Sequence, residues 1–267
     1  MAVRPFLSAS SAKVIAIFCH AYLITARHCI QRAKRYGNLF LRLNTHSGSA
    51  ELIDISNLGW VYPNNEATDI AVSEHPFEPD QAYFDAAPIP DDMFHEPELL
   101  KSTEVGIGDE IIIAGLFRER RGEQRNVPIV RSGILAAMPD EPLMDNDTGL
   151  PYDAYLAEVR SLGGLSGSPV VVACGPARLM QSGAIGIGLT FFLLGVIRGH
   201  WDYQAPEMIP SFVGDDLSQV NMGIAIVTPF EEARRILYSE EFIKDRRTIE
   251  KDGAIGWAQN QTAIQGL

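Results

Sequence analysis

Three residues far apart in the chain have the types that nucleophilic hydrolysis needs: His28, Asp69 and Ser166. A serine hydroxyl is a weak nucleophile at neutral pH. It attacks a carbonyl only with a base in hydrogen-bond reach, a carboxylate to orient that base, and donors for the oxyanion that develops. Each part has a setting that suits it. Tyr22-Leu-Ile-Thr-Ala-Arg-His28 reads as an apolar strand that delivers an imidazole at its end. Ala67-Thr-Asp69-Ile-Ala-Val72 puts a carboxylate at the mouth of a buried strand, where it can be desolvated and aimed at a neighbour. In Gly163-Gly-Leu-Ser166-Gly-Ser-Pro-Val-Val171 glycines surround a serine and a strand follows at once. Glycine permits the tight turn in which backbone N–H groups converge on one point. Taken singly, each piece has a structural alternative: a histidine held in the fold, an aspartate capping its own turn, and a plain Gly/Ser turn.

The elements that must position these residues are strands. Most apolar runs are short, rich in Val and Ile, and punctuated by Gly, Pro, Asn or Asp, the pattern of a sandwich or barrel. Strands are expected at Val14 to Phe18, Tyr22 to Ala26, Leu39 to Leu43, Glu51 to Ile55, Ile70 to Val72, Glu110 to Ala114, Ile129 to Ala136, Pro169 to Ala173 and Met222 to Val227. A Pro- and acid-rich stretch from His75 to Glu98 divides them into an early and a later group, as a linker between subdomains does. Met138 to Tyr152 reads as a second long loop. Thr228-Pro-Phe-Glu-Glu-Ala-Arg-Arg-Ile-Leu237 opens a terminal helix, with Thr228 as N-cap, Pro229 at the first helical position and acids in the first turn. The Gly- and Gln-rich segment from Lys251 to Leu267 has weak periodicity, and fraying is expected there.

Composition narrows the function. At 267 residues and 46% hydrophobic the chain is globular, and 34 acidic against 22 basic residues give a net charge of −12. Such a chain repels nucleic acid and anionic membranes, and its nearest basic group, Arg118 to Arg125, is broken by Glu119 and Glu123. The longest apolar segment, Gly183 to Ile197, is too short and too glycine-rich to span a bilayer as a helix. No metal site is expected: there is no His-Glu-x-x-His, and His46, His75, His95 and His200 are scattered. Gly183-Ala-Ile-Gly-Ile-Gly188 lacks the strand-turn-helix context of a dinucleotide site, so no cofactor is implied. Cys19, Cys29 and Cys174 have neither a Cys-x-x-Cys spacing nor an even count, and the first residues do not look like a secretory signal. A reducing, cytoplasmic setting is the expectation. No oligomeric state follows from the sequence.

Together the three pieces resemble the trypsin-like (chymotrypsin-fold) serine peptidases, whose marks are Thr-Ala-Ala-His-Cys, Asp-Ile-Ala-Leu and Gly-Asp-Ser-Gly-Gly-Pro. The chain has Thr25-Ala-Arg-His-Cys29, Asp69-Ile-Ala-Val72 and Gly164-Leu-Ser-Gly-Ser-Pro169, in the same order. Weaker echoes run from about Val14 to Leu237. Val105 to Gly115 is similar to an early second-barrel hairpin, and Val130 to Ala136 to its next strand. Leu193 to His200 is similar to the cleft-lining strand, and Asn221 to Pro229 with its following helix to the closing strand and C-terminal helix of bacterial members.

The resemblance implies an all-β fold of two antiparallel six-stranded barrels with a C-terminal helix. Residues 1–90 would carry His28 and Asp69, residues 91–245 would carry Ser166 and the helix, and 246–267 would be a flexible tail. It also implies a serine endopeptidase acting on protein or peptide substrates through an acyl-enzyme. Ser166 would be the nucleophile, His28 the base and then acid, Asp69 the residue orienting the ring, and the N–H groups of Gly164 and Ser166 the oxyanion hole. Ser168, the rival nucleophile, aligns with a family glycine. Arg160 would lie at the base of the primary specificity pocket, with Arg198 and His200 on the cleft-lining strand. A cationic pocket that selects acidic side chains is one reading, and an arginine turned to solvent or ion-paired is the other.

Departures from the family pattern are informative. Leu165 stands where many members carry the aspartate that receives a freed N-terminus, which implies a non-zymogen enzyme. Arg27 replaces a small residue, and its charge would depress the imidazole pKa if it were neither solvated nor paired. Cys29 is disulfide-bonded in secreted members, whereas Cys19 here would lie near a hairpin turn, so a reduced pair is expected. These flanking changes and the long acidic loops also fit a binding or regulatory protein that keeps the fold and triad without useful turnover.

Overall fold

Alternating burial makes the later half of the chain a barrel. The structure is a computed structural model that describes residues 20–94, 105–116, 122–159, 164–175, 190–202 and 221–265. In β6 (Glu110–Leu116) Ile111 and Ile113 point inward, and in β11 (Pro169–Cys174) Val170, Val172 and Cys174 do the same. The two strands pair antiparallel with Val170 opposite Ile113 and Val172 opposite Ile111. With β7 (Pro128–Ala137), β10 (Tyr155–Glu158), β12 (Thr190–Asp202) and β13 (Asn221–Pro229) they close a six-stranded antiparallel barrel of order β10-β13-β12-β11-β6-β7. Closure leaves no unpaired edge, and the inward set, including Leu135, Phe192, Ile197, Ala225 and Val227, forms one core.

The early half is built differently. β1 (Ile24–Thr25) and β4 (Trp60–Val61) flank β5 (Ala71–Ser73) in a three-stranded sheet, and β2 (Phe40–Asn44) pairs with β3 (Ala50–Asp54) as a separate hairpin. Among the described residues these strands do not close into a second barrel, in contrast to the six-stranded one expected there. The expected strand at Val14 to Phe18 lies outside the described residues. Another difference is α1 (Arg27–Arg35), where only a strand end was expected. A further small pair, β8 (Leu143–Met144) and β9 (Pro151–Tyr152), lies inside the expected 138–152 loop.

The C-terminus holds the halves together. α2 (Glu231–Leu237) starts two residues later than expected: Phe230 is its N-cap position, and Thr228 lies in β13 with a buried hydroxyl that has no hydrogen-bond partner among the described residues. α3 runs from Glu240 to Gln265 and so continues through the segment from Lys251 where fraying was expected; Glu, Lys, Ala and Gln are good helix formers and no proline interrupts them. No helix among the described residues is long and apolar enough to cross a membrane. Phe230, Ala233, Leu237 and Phe242 pack with Ile70 and Val72 of the early half and with Leu193 and Val196 of the barrel. Phe94, at the end of the 75–94 segment, stacks on Phe230 with ring centroids 4.4 Å apart.

Because Phe230 is the buried aromatic shared by both halves, Phe230→Ala should cost about 3–5 kcal/mol. Urea unfolding measures it, and a loss below about 1 kcal/mol, far short of what a large-to-small core change costs, would mean the junction does not stabilise the fold jointly.

Candidate active site

Asp69 is the first residue to place, because it precedes the most buried strand of the early half. Ile70, Ala71 and Val72 are fully buried, and the Asp69 side chain is only 9% exposed. A carboxylate there needs strong partners. It has two. Oδ2 accepts from Nδ1 of His28 at 2.6 Å, and Oδ1 accepts the His28 backbone N–H at 2.8 Å. The second bond explains α1. The N-cap position, Ala26, has no side-chain cap and the first turn holds no acid, so Asp69 satisfies an orphan N–H and places negative charge at the helix N-terminus from outside the segment. Ring and backbone of His28 are thus fixed by one side chain.

The Asp69 hydrogen bond pushes the His28 pKa up to about 10, with a further hydrogen bond from the Cys29 side chain acting in the same direction against the lowering effect of burial. Arg27 does not reverse this. Its guanidinium stacks over the Tyr62 ring at 4.8 Å, with Nη1 buried and without a hydrogen-bond partner among the described residues.

Ser166 lies on the other side of the seam. Leu165, where the resemblance sets an aspartate, is 2% exposed and packs into the barrel core, so the loop is anchored by burial rather than by an ion pair. Gly164 and Gly167 have φ of +104° and +82°, in the left-handed region that favours glycine. A Cβ on Gly167 would collide with Thr25 Oγ1 and crowd the Ala26 N–H, so glycine there lets the serine loop rest against the start of α1. The Gly167 N–H donates to the Ile197 carbonyl at 2.7 Å and the Ile197 N–H to the Ser168 carbonyl at 2.9 Å, tying the loop to β12. Among the described residues the N–H groups of Gly164 and Ser166 donate to no backbone carbonyl. Ser168 sits over Gly115 of β6.

His28 and Ser166 share a neighbour rather than a direct bond. The Ser166 hydroxyl donates to the Arg198 carbonyl at 3.2 Å. Nε2 of His28 instead lies 3.6 Å from Cys29 Sγ, and the same sulfur is 3.7 Å from the Ser166 carbonyl oxygen. Cys29 is a free, half-buried thiol. Its place beside the ring was not legible, since its sequence position suggested only a reduced counterpart of the family's disulfide half. Cys19 lies outside the described residues.

The Arg198 side chain is committed elsewhere. It donates to the Ala67 carbonyl, pairs with Asp145 Oδ2, and stacks over Tyr152 at 4.0 Å. It thereby clamps three pieces: the residues before Asp69, the β8–β9 hairpin, and the β12 carbonyl that holds the serine. Burial alone would raise the Asp145 pKa, but the Thr148 N–H and hydroxyl and the Arg198 charge outweigh it and hold the carboxyl below its usual range. A guanidinium so engaged fits the ion-paired reading rather than a free cation for an acidic side chain. Sequence reasoning missed Asp145 and Tyr152; Asp145-Asn-Asp-Thr-Gly149 signals a turn but not its partner. His200 lies half-buried on β12 opposite Ala225, and Arg160 lies outside the described residues. Among the described residues no group of three His, Cys, Asp or Glu side chains is arranged to hold a metal ion.

Compared with known proteins, the chain matches no family model and no curated sequence.

Titration and mutation test the site's geometry. The His28 ring followed by NMR should titrate near 10, and Asp69→Asn should bring the midpoint down toward the ordinary value of 6.5. With a raised pKa the pair's stabilisation is complete below the ordinary histidine value and lost as pH rises through about 10. The stability gap between wild type and Asp69→Asn should accordingly be full at acid-neutral pH and narrow in strong alkali, where only the bond to the His28 backbone N–H remains. Asp145→Asn leaves Arg198 with an uncompensated charge, and should cost about 2 kcal/mol in urea unfolding at neutral pH.

Proposed function

We propose that the chain is a serine endopeptidase of trypsin-like fold, hydrolysing peptide bonds through an acyl-enzyme on Ser166. The observation that carries the reading is the short Asp69–His28 pair, whose Nε2 contacts the Cys29 sulfur that in turn lies 3.7 Å from the Ser166 carbonyl oxygen. In this mechanism the Ser166 hydroxyl leaves the Arg198 carbonyl, gives its proton to Nε2 and attacks the substrate carbonyl. Asp69 stabilises the imidazolium that forms, and the Gly164 and Ser166 N–H groups receive the oxyanion. The imidazolium then protonates the leaving amine, and water activated by the same ring releases the acyl group. Two barrels facing each other across the cleft belong to this reading, with the early sheets as part of the first. So does a cleft that takes protein or peptide chains.

A second reading has its own support. The serine is bonded to a carbonyl and Nε2 faces sulfur, the arrangement of a binding or regulatory protein that keeps the triad without turnover.

A fluorophosphonate probe separates the two. Catalysis predicts one adduct on Ser166, absent in Ser166→Ala, and a labelling rate that climbs with pH toward about 10 as His28 gives up its proton. Well-folded wild type that takes no label at any pH would favour the non-catalytic reading.

A further inference from the structure

Cys29 touches the His28–Asp69 pair through a contact that the serine mechanism does not use. Its sulfur lies 3.6 Å from Nε2 of His28, whose Nδ1 is 2.6 Å from Asp69. This is the relation a nucleophile bears to an aspartate-oriented histidine, yet it is sulfur and not the Ser166 oxygen that occupies it. The side chain is a free thiol and the residue is half-buried, within reach of small molecules. The His28 side chain beside it is 41% exposed. Cys174, by contrast, is buried in the barrel core.

We infer that Cys29 is a hydroperoxide-sensitive modification site, and that its oxidation switches off the Ser166 centre. In this step the thiol gives its proton to Nε2, which frees the sulfur to attack. Sulfur attacks the distal oxygen of the hydroperoxide. An S–O bond forms and the O–O bond breaks, and the departing oxygen takes the Nε2 proton and leaves as water or an alcohol. The thiol is oxidised to a sulfenic acid and the peroxide is reduced. The added oxygen then lies between Sγ and Nε2, where it occupies the base that Ser166 would need. A thiol reductant reverses the change. The switching role rests on the serine-peptidase reading, whereas the oxidation of Cys29 does not.

Hydrogen peroxide with dimedone, followed by peptide mass mapping, tests both parts. The expected result is a dimedone adduct on Cys29 and none on Cys174. The rate should fall by at least ~10-fold in His28→Ala and in the milder His28→Gln, each checked for folding by circular dichroism. Peroxide should also abolish fluorophosphonate labelling of Ser166 in wild type, with recovery on adding dithiothreitol, while Cys29→Ser keeps after peroxide the labelling it had before. An adduct forming equally fast with and without the imidazole would overturn the site, as would no adduct at Cys29. Labelling that survives full oxidation of Cys29 would overturn the switch. If untreated wild type takes no fluorophosphonate, the peptidase reading and the switch fall together, and the dimedone rates still decide the site.

Discussion

Two oxygens of one buried carboxylate organise the early half of this molecule. Asp69 cannot lie unpaired ahead of a fully buried strand, so each oxygen takes a donor: the His28 ring and the His28 backbone N–H. The first bond sets the tautomer and direction of the imidazole. The second starts α1, a helix whose own sequence has no cap. Removing the carboxylate would therefore release a ring and unseat a helix at once, and the two effects have one cause.

The barrel supplies the other half of the site by different means. The Ser166 loop is held by a leucine in the core, by left-handed glycines on either side of the Leu165–Ser166 pair, and by hydrogen bonds to β12. Arg198 then crosses the seam. Its carbonyl receives the serine hydroxyl while its guanidinium reaches the Ala67 carbonyl and Asp145. One residue of β12 thus ties the placement of the serine to the placement of the segment leading into Asp69. The shared apolar cluster around Phe230 makes that seam a packed junction rather than a hinge.

Barrel strands were legible where they carry a run of β-branched residues long enough to show its pattern, as Glu110 to Leu116 and Pro169 to Cys174 do. Tyr155 to Glu158 was missed, since four residues are too few to display a period. The helix at Arg27 was missed for a different reason: its cap is 41 residues away and only Ile30 of its nine residues is buried, so neither a start signal nor an apolar face was present locally. His28, Asp69 and Ser166 were legible as types in suitable settings, and His28 and Asp69 do meet. What the sequence did not reveal are relations that depend on three-dimensional approach: the sulfur beside Nε2, the serine hydroxyl resting on the Arg198 carbonyl, and the pairing of Arg198 with Asp145.

The central claim is that these parts act as one acylating centre. Acid-quenching the protein during its reaction with an activated ester, then weighing and mapping it, tests that claim directly. The account predicts one acyl group per chain, carried on Ser166. No acyl-enzyme at any pH, or an acyl group carried by Cys29 in place of Ser166, would contradict it.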